Sequence, residues 1–167
     1  KARSGSLARK HARFLIIEWL QLYSKWNEKT WEIETLSRRL SSWITNIDFL
    51  LAEKDEKLLE LLKKNIFKQI KHLRLHANKN YFSSLDTDYG LEISSIKKIK
   101  ILRGLLLYNI CFEEEGKRYI KYIKMLALEV LLSFNSEGLH FSKSPSTQLS
   151  ILADLVTIRE TLISKQL

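Results

Sequence analysis

The segment LSRRLSSWITNIDFLL, at positions 36–51, indicates most clearly which secondary structure this chain forms. Its apolar residues recur at steps of three and four or lie next to such a step: Leu36, Leu40, Trp43, Ile44, Ile47, Leu50 and Leu51. Because an α-helix has 3.6 residues per turn, this spacing puts them on one helix face. The segment therefore predicts a helix over 35–52 that packs its apolar face against other elements.

The same helical spacing recurs in five further stretches of the chain. Their apolar stripes are Leu15, Trp19, Leu22, Trp26; Leu62, Ile66, Ile70, Leu73; Ile99, Leu102, Leu106, Ile110; Tyr119, Ile123, Leu126, Val130; and Ile151, Leu155, Ile158, Leu162. We predict six helices, over 6–26, 35–52, 54–78, 91–112, 115–134 and 145–164. No stretch alternates with the period of two that strands require, so the predicted fold class is all-α.

Helix ends and turns are marked by specific residues. Ser144 followed by Pro145 predicts an N-cap with proline at the first helical position. The polar stretch 78–88 is the longest predicted loop. Chain reversals are predicted at three glycines: Gly90, Gly116 and Gly138. Since short connections between long helices produce antiparallel αα-hairpins, we expect either a small bundle or an arc of a larger helical toroid.

Composition and charge limit the classes of function. With 167 residues, 45% hydrophobic and 28% charged, the chain is predicted to be one helical domain over 1–167. The formal net charge is +9, and the excess lies in residues 1–80. This excess indicates an anionic partner, namely polysaccharide, nucleic acid or an acidic membrane surface, or else a merely solvated basic surface. No apolar run is long enough to span a membrane.

Cysteine and histidine offer little for a metal or a cofactor. The single Cys111 excludes an internal disulfide and a multi-cysteine zinc site. His72 and His76 are four residues apart and would share a helix face, which is a possible metal-ligand spacing. Lys71 and Arg74 lie beside them and would repel a cation, so we predict neither a metal site nor a cofactor.

Three residues near the second helix are candidates for binding a sugar. Trp31 lies among polar neighbours and is predicted to be an exposed platform that stacks on a sugar ring. Arg38 and Arg39 lie in an otherwise apolar helix. They either bind carbonyls or carboxylates between helices or form a fork for a substrate carboxylate, and the sequence does not decide between these roles.

A second basic candidate is the segment 61–80, which contains lysines and an arginine but no acid. Such a helix face could contact phosphates. We find neither a nucleic-acid motif nor an interleaved aromatic platform in it, so nucleic acid is disfavoured as a partner relative to a solvated face.

The element LSRRLSSW, at positions 36–43, resembles the R-R-L-x-x-W element in the helical N-terminal region of heparinase II/III family proteins. Trp31 resembles the tryptophan that precedes the same helix in that family. The segment EGLHFSKSPS, at 137–146, is similar to a D-G-G-H-x-S-R-x-P-S loop found in one branch, with three replacements: Glu137, Leu139 and Lys143. The resemblance covers roughly 31–162.

The resemblance implies an incomplete α/α toroid with a β-rich domain beyond Leu167, in a bacterial protein of the periplasm or cell envelope. It also implies β-elimination of an acidic, uronate-containing polysaccharide such as a glycosaminoglycan. In that chemistry a base removes the proton beside the uronate carboxylate while polar groups neutralise the developing charge. We expect His140 to be the catalytic candidate, facing the concave side of the arc as proton acceptor or neutraliser. The expected substrate-binding residues are Trp31, Arg38, Arg39 and Lys143.

Two departures from the family pattern bear on activity. The Tyr-His pair of characterised lyases falls on Thr147 and Gln148, and the Asn-His pair falls in 92–95, which reads Glu-Ile-Ser-Ser. Thr147 cannot replace a tyrosine acid/base, so elimination by the usual lyase residues is not expected from this chain. The alternative function is a non-catalytic basic helical module that binds nucleic acid or a protein partner.

Overall fold

A computed structural model describes residues 2–51, 55–81, 91–113 and 118–167, and in these ranges the chain is helical with no named strand. The helices are α1 (Ala2–Tyr23), α2 (Ile33–Thr45), α3 (Ile47–Leu51), α4 (Glu56–Tyr81), α5 (Leu91–Phe112), α6 (Arg118–Ser133) and α7 (Pro145–Ser164). The predicted all-α class is confirmed. Within the same ranges, no helix combines the length and apolar character that crossing a membrane requires.

The single helix predicted over 35–52 is wrong, because the structure divides it into α2 and α3 at Asn46. The side-chain amide of Asn46 donates to the carbonyl of Ser42 at 2.8 Å, and its backbone N–H donates to the same carbonyl at 3.2 Å. The carbonyl of Ser42 thus accepts the side-chain amide in addition to an ordinary helical bond, and Asn46 caps the end of α2. The helical spacing of apolar residues continues through Ile44 and Ile47, so the break between α2 and α3 cannot be recognised from this spacing.

The first helix ends at Tyr23, three residues before the predicted end at Trp26. Beyond it, the side-chain oxygen of Asn27 accepts from the backbone N–H groups of the two residues at 29 and 30, which forms a turn. The apolar stripe predicted for this helix is also wrong, since Leu15, Leu22 and Trp26 are exposed. Among its members only Trp19 packs against the core.

The predicted start of the last helix is confirmed. Ser144 is its N-cap and accepts from the N–H of Thr147, with Pro145 in the first turn. The turn at Gly138 is also confirmed, with a φ of 75° that favours glycine. α4 continues to Tyr81, beyond the predicted end at 78. The rest of the predicted loop, together with Gly90 and Gly116, lies outside the described residues.

α5 lies between two hydrophobic clusters and contributes buried side chains to both. The first cluster joins α5 to helices α1 to α4 and includes Leu105 and Leu107 of α5. The second joins α5 to α6 and α7 and includes Leu102 and Leu106. Because α5 is apolar around most of its circumference, its sequence suits a helix packed on two sides.

Residue pairs along α2 and α5 show that these helices run in the same direction. Glu34 near the start of α2 contacts Lys100 in the middle of α5, and Ile44 and Phe112 near the ends of the two helices line one cleft. The two backbones come close at Gly104, where an added Cβ would lie 2.8 Å from the hydroxyl of Ser37.

α7 also runs parallel to α5, whereas α6 runs antiparallel to it. Arg103 in the middle of α5 pairs with Asp154 of α7, and Phe112 at its end lies beside Thr161. By contrast, Lys98 near the start of α5 contacts Glu129 near the end of α6 at 3.7 Å. Hence α2, α5 and α7 run in the same direction and finish beside one cleft, and α2 begins beside the middle of α5.

Candidate functional site

The predicted site residues lie on two segments of the chain. Trp31 precedes α2, Arg38 and Arg39 lie in the middle of α2, and His140 and Lys143 are in the loop that leads into α7. Arg39 donates to the carbonyl of Thr30, the residue next to Trp31, and the backbone N–H of Lys143 donates to the carbonyl of His140. Within the described ranges no direct contact joins the two groups, since α5 lies between α2 and α7.

Trp31 is buried, with only 4% of its surface exposed, so the expectation of an exposed sugar platform is wrong. Its indole N–H donates to the carbonyl of Tyr23 at 3.0 Å, and its ring meets His72 of α4 edge-on at 5.4 Å. The ammonium of Lys68 lies 5.5 Å from the ring centre. The polar neighbours of Trp31 in sequence suggested exposure, but α4 covers the ring.

Arg39 acts as a brace between helices. Its Nε donates to Gln69 of α4 at 2.9 Å, and its Nη1 donates to the carbonyl of Thr30 at 2.8 Å. The guanidinium also lies 4.1 Å from the ring centre of Trp19. Burial lowers the pKa of Arg39 to about 10, which still leaves it charged at neutral pH. The sequence left two roles open for Arg39, namely binding carbonyls or carboxylates between helices and binding a substrate carboxylate. These contacts support the first role.

Arg38 faces the solvent on the neighbouring side of α2. Its side chain is 65% exposed, and its Nη2 lies 3.6 Å from a carboxylate oxygen of Glu34 in the same helix. Exposed ion pairs of this kind contribute little stability, so this guanidinium can exchange its partner for a ligand carboxylate at small cost.

Lys97 of α5 is an exposed cation near Glu32 that was not predicted from the sequence. Burial raises the pKa of Glu32, the N-cap of α2, but hydrogen bonds from Thr35 and Glu34 and the charge of Lys97 bring that pKa below its ordinary value. Lys97 therefore lies close to the start of α2. In the sequence, Lys97 belongs to a group of three lysines with Lys98 and Lys100. In the structure, Lys98 forms an ion pair with an acid of α6, and Lys100 forms one with an acid of α2.

Lys143 is exposed immediately before α7. It has a φ of 52°, in the left-handed region, and its backbone N–H donates to the carbonyl of His140 at 2.8 Å. α7 has no acidic residue in its first turn. Arg38 of α2, Lys97 of α5 and Lys143 thus give one exposed cation on, or directly before, each of the three parallel helices. We call these three residues the cationic edge.

His140 is buried, with 1% of its surface exposed, so the expectation that it faces an open concave side is wrong. Its Nδ1 accepts from the backbone N–H of Ser142 at 3.1 Å and lies 2.8 Å from the hydroxyl of the same residue. Its ring meets Phe134 edge-on at 5.4 Å, and the two residues form an isolated antiparallel bridge. These contacts fix the loop before α7. A catalytic role for His140 stays a prediction.

The positions that correspond to the lyase Tyr-His pair are also part of this loop's structure. The N–H of Thr147 donates to the hydroxyl of Ser144, and the side-chain amide of Gln148 donates to the carbonyl of Gly138 at 3.1 Å. Neither side chain offers a titratable group near neutral pH.

A second basic surface lies on α4, where Lys63, Lys64 and Lys71 are exposed. Phe67 lies between these lysines in the sequence and is 57% exposed. This surface therefore has an aromatic side chain, which the prediction from the sequence missed. Lys68 is exposed too, but its ammonium is tied to the carbonyl of Ser24 at 2.8 Å. We call Lys63, Lys64, Phe67 and Lys71 the α4 face.

The rings of His72 and His76 in α4 lie against each other, with centres 4.5 Å apart and planes tilted by 47°. Burial, together with the charge of His76, lowers the pKa of His72. In the part of the chain that the structure describes, no group of three or more His, Cys, Asp or Glu side chains could hold a metal ion.

No family model matches this sequence, and neither a curated protein nor a solved structure matches it. The resemblance to heparinase II/III family proteins therefore stays a prediction.

Proposed function

We propose that this chain is a helical domain that binds an acidic, uronate-containing polysaccharide along the cationic edge. The observation that carries the proposal is the parallel course of α2, α5 and α7, with one exposed cation on or directly before each of them, namely Arg38, Lys97 and Lys143. One exposed cation per helix, repeated across three neighbouring helices, suits a ligand with carboxylates at regular intervals.

The helix ends themselves favour an anion at this edge. The N-terminus of an α-helix carries the equivalent of about half a positive charge, and its first N–H groups have no partners within the helix. Three such ends point the same way here. Glu32 and Glu34 oppose this potential at α2, whereas the first turn of α7 has no acid. The field is therefore most favourable for an anion beside Lys143.

The arrangement of the helices also supports the proposed toroid arc. α2, α5 and α7 contact one another in sequence and run parallel, while α4 and α6 pack against α5 from its other sides. Such a pair of layers is what successive αα-hairpins produce. The first and last helices along the chain expose apolar side chains, including Leu7 and Phe14 of α1 and Leu149 and Leu152 of α7. Exposed apolar edges suit an array that further helices or the proposed β-rich domain would cover.

The proposal for this chain is binding rather than elimination. In heparinase II/III-like chemistry an accessible base must reach the proton beside the uronate carboxylate. His140 can reach it only if its ring leaves Phe134 and Ser142, and Thr147 and Gln148 supply no acid/base group. A catalytic part for His140 is thus proposed only for a longer protein in which substrate opens this loop.

Titration calorimetry with a heparin-derived hexasaccharide tests the binding proposal. Replacing Arg38, Lys97 and Lys143 with Gln should weaken affinity about tenfold, because three exposed ionic contacts of about 0.5 kcal/mol each are lost. A matched variant with Gln at Lys63, Lys64 and Lys71 removes the same charge elsewhere and should bind almost normally. Equal loss in both variants would indicate a non-specific effect of net charge and overturn the proposal.

Phe67 favours a second candidate function, the binding of single-stranded nucleic acid by the α4 face. Single-strand binders combine lysines that contact the backbone with aromatic rings on which bases stack. Fluorescence anisotropy with a labelled oligonucleotide tests it. Replacing Phe67 with Ala should weaken binding about fivefold or more if a base stacks there, since one stacked base contributes about 1–3 kcal/mol. An unchanged affinity would remove the α4 face as a stacking surface.

A further inference from the structure

The first helix, α1, packs against the described helices through one face only. Leu20 is buried in the first hydrophobic cluster, and Ile16 and Trp19 pack against the same cluster. On this side of the helix, Arg13 also forms an ion pair with Asp55 at 2.6 Å. These contacts fix the rotation of α1 about its own axis, so its opposite face is turned toward the solvent.

This opposite face of α1 carries a stripe of exposed apolar side chains that also contains one histidine and one glutamate. Its four apolar residues are 52–71% exposed: Leu7, Phe14, Leu15 and Leu22. His11 and Glu18 lie between them and are exposed too. Since the steps between these residues are those of a helix face, all six lie side by side. We call these six residues the α1 stripe.

The α1 stripe has the same order of residue types in both directions. The spacings between its members are four, three, one, three and four residues. A leucine stands at each end, a histidine and a glutamate stand at equal distances from the centre, and Phe14 and Leu15 form the centre. Such an order is what a twofold antiparallel helix pair requires, because each contact of residue i with residue j is repeated as j with i.

We propose that the α1 stripe is the interface of a homodimer in which two α1 helices pack antiparallel about a twofold axis. Leu7 of each subunit lies opposite the partner's Leu22. Phe14 and Leu15 of both subunits meet at the axis. The dimer thereby covers a stripe of exposed apolar side chains of the kind that marks a protein interaction site.

The polar members of the α1 stripe select a second copy of this chain as the occupant. In the antiparallel pair, His11 lies opposite the partner's Glu18, and the symmetry forms this contact twice. An imidazole N–H donates to a carboxylate oxygen, so the two groups are complementary. A lipid surface would instead cover Glu18 without supplying a donor for it, which is costly.

The size of the α1 stripe sets the expected strength of the dimer. Leu7 and Leu22 are about 22 Å apart along the helix, at 1.5 Å per residue. A contact of one helix with one helix over this length is small compared with the interfaces of stable dimers, so we expect a weak, reversible dimer. Since α1 contributes no residue to the cationic edge or to the α4 face, this inference goes beyond the proposed function.

Sedimentation velocity from about 1 μM to about 500 μM protein tests the proposal, because a small interface should dissociate within this range. We expect a monomer–dimer equilibrium. Phe14→Ala should weaken the dimer about a hundredfold, because the symmetry removes two buried rings at once. The matched control Leu149→Ala changes a similarly exposed apolar residue of α7 and should leave the equilibrium unchanged. Circular dichroism checks that both variants stay helical.

An exchange of charges tests the antiparallel register. Glu18→Lys and His11→Glu should each weaken the dimer about tenfold, since each change replaces two complementary contacts with unfavourable ones. The double variant should restore the affinity, because a carboxylate and an ammonium then face each other across the interface. Positions 11 and 18 lie about 10 Å apart within one helix, so the recovery has to come from the partner. The control Glu60→Lys makes the same charge change on α4 and should have no effect.

Three results would overturn the proposal. The first is a chain that stays monomeric over the whole concentration range. The second is a dimer that Phe14→Ala leaves intact, because its interface would then lie elsewhere. The third is a double charge variant that stays as weak as the single ones. Flotation with phosphatidylglycerol vesicles identifies the other occupant, since vesicle binding by a monomeric chain that Phe14→Ala abolishes would assign the stripe to a membrane surface.

Discussion

The guanidinium of Arg103 on α5 lies 2.5 Å from the carboxylate of Asp154 on α7, and both side chains are largely withdrawn from solvent. Among the described residues it is one of three ion pairs between α5 and a neighbouring helix. Lys98 contacts a glutamate of α6, and Lys100 contacts a glutamate of α2. Each of these three cations therefore pairs with a different neighbouring helix. We infer that these pairs specify which helices surround α5, beyond what apolar packing alone would fix.

Replacing Arg103 with Leu should lower the free energy of unfolding by about 3–5 kcal/mol, because Asp154 would remain buried without its partner. Urea denaturation measures this change. Replacing Asp154 with Leu as well should restore much of the lost stability, since an apolar pair leaves no uncompensated charge. A loss below about 1 kcal/mol in the single variant would show that solvent reaches the carboxylate.

The stability contribution of Asp154 should depend on pH in a defined direction. Burial raises its pKa above the ordinary 3.8, and the nearby positive charges of Arg103, Lys100 and Arg38 only partly oppose this. The folded state then binds the proton more readily than the unfolded state, so this group disfavours folding above its raised pKa. Compared with Asp154→Asn, the unmodified chain should gain stability as the pH falls through the raised pKa toward 3.8. Denaturation of both proteins across this window tests the sign, and a relative loss of stability on acidification would contradict it.

Replacing Arg39 with Ala should lower the free energy of unfolding by about 1–3 kcal/mol, because its hydrogen bonds to Gln69 and to the carbonyl of Thr30 are lost. Thermal melts measure this loss. Polysaccharide affinity should stay near that of the unmodified chain, since Arg39 points into the helix packing. A variant with full stability and weakened binding would instead assign Arg39 to the ligand.

Replacing Gly104 with Ala should also destabilise the fold, by about 1–3 kcal/mol, through overpacking between α2 and α5. The added methyl group would lie 2.8 Å from the hydroxyl of Ser37 and 3.2 Å from a methyl carbon of Leu73. The matched control is Gly5→Ala in α1, where nothing lies within 4 Å of the added carbon. That change should raise stability by about 0.5–1 kcal/mol, because alanine favours a helix over glycine. Equal effects in the two variants would contradict the close approach.

Much of the fold could be predicted from the spacing of apolar residues. The approximate positions of the described helices were predicted, but α2 and α3 were predicted as a single helix. The reason is that Ile44 and Ile47 keep the helical spacing across the break between these two helices. The break at Asn46 depends on one amide that bonds back to Ser42. Such a local bond competes with the helix without altering the hydrophobic pattern.

The site was harder to predict, because burial depends on residues that are distant in sequence. Trp31 has polar neighbours along the chain, but α4 covers it through His72 and Lys68. The role of Arg39 was undecided for the same reason, since Gln69 is 30 residues away. Lys97 was overlooked because only the helix packing shows which lysine of its run remains exposed.

The most direct test of the central claim is a chemical-shift map of the backbone amides on titration with a heparin-derived hexasaccharide. The cationic edge predicts that perturbed amides cluster around Arg38 and Lys97 and at the start of α7. Amides of the α4 face should change little. Perturbations confined to the stretch between Lys63 and Lys71, or no saturable perturbation at all, would contradict polysaccharide binding at the cationic edge.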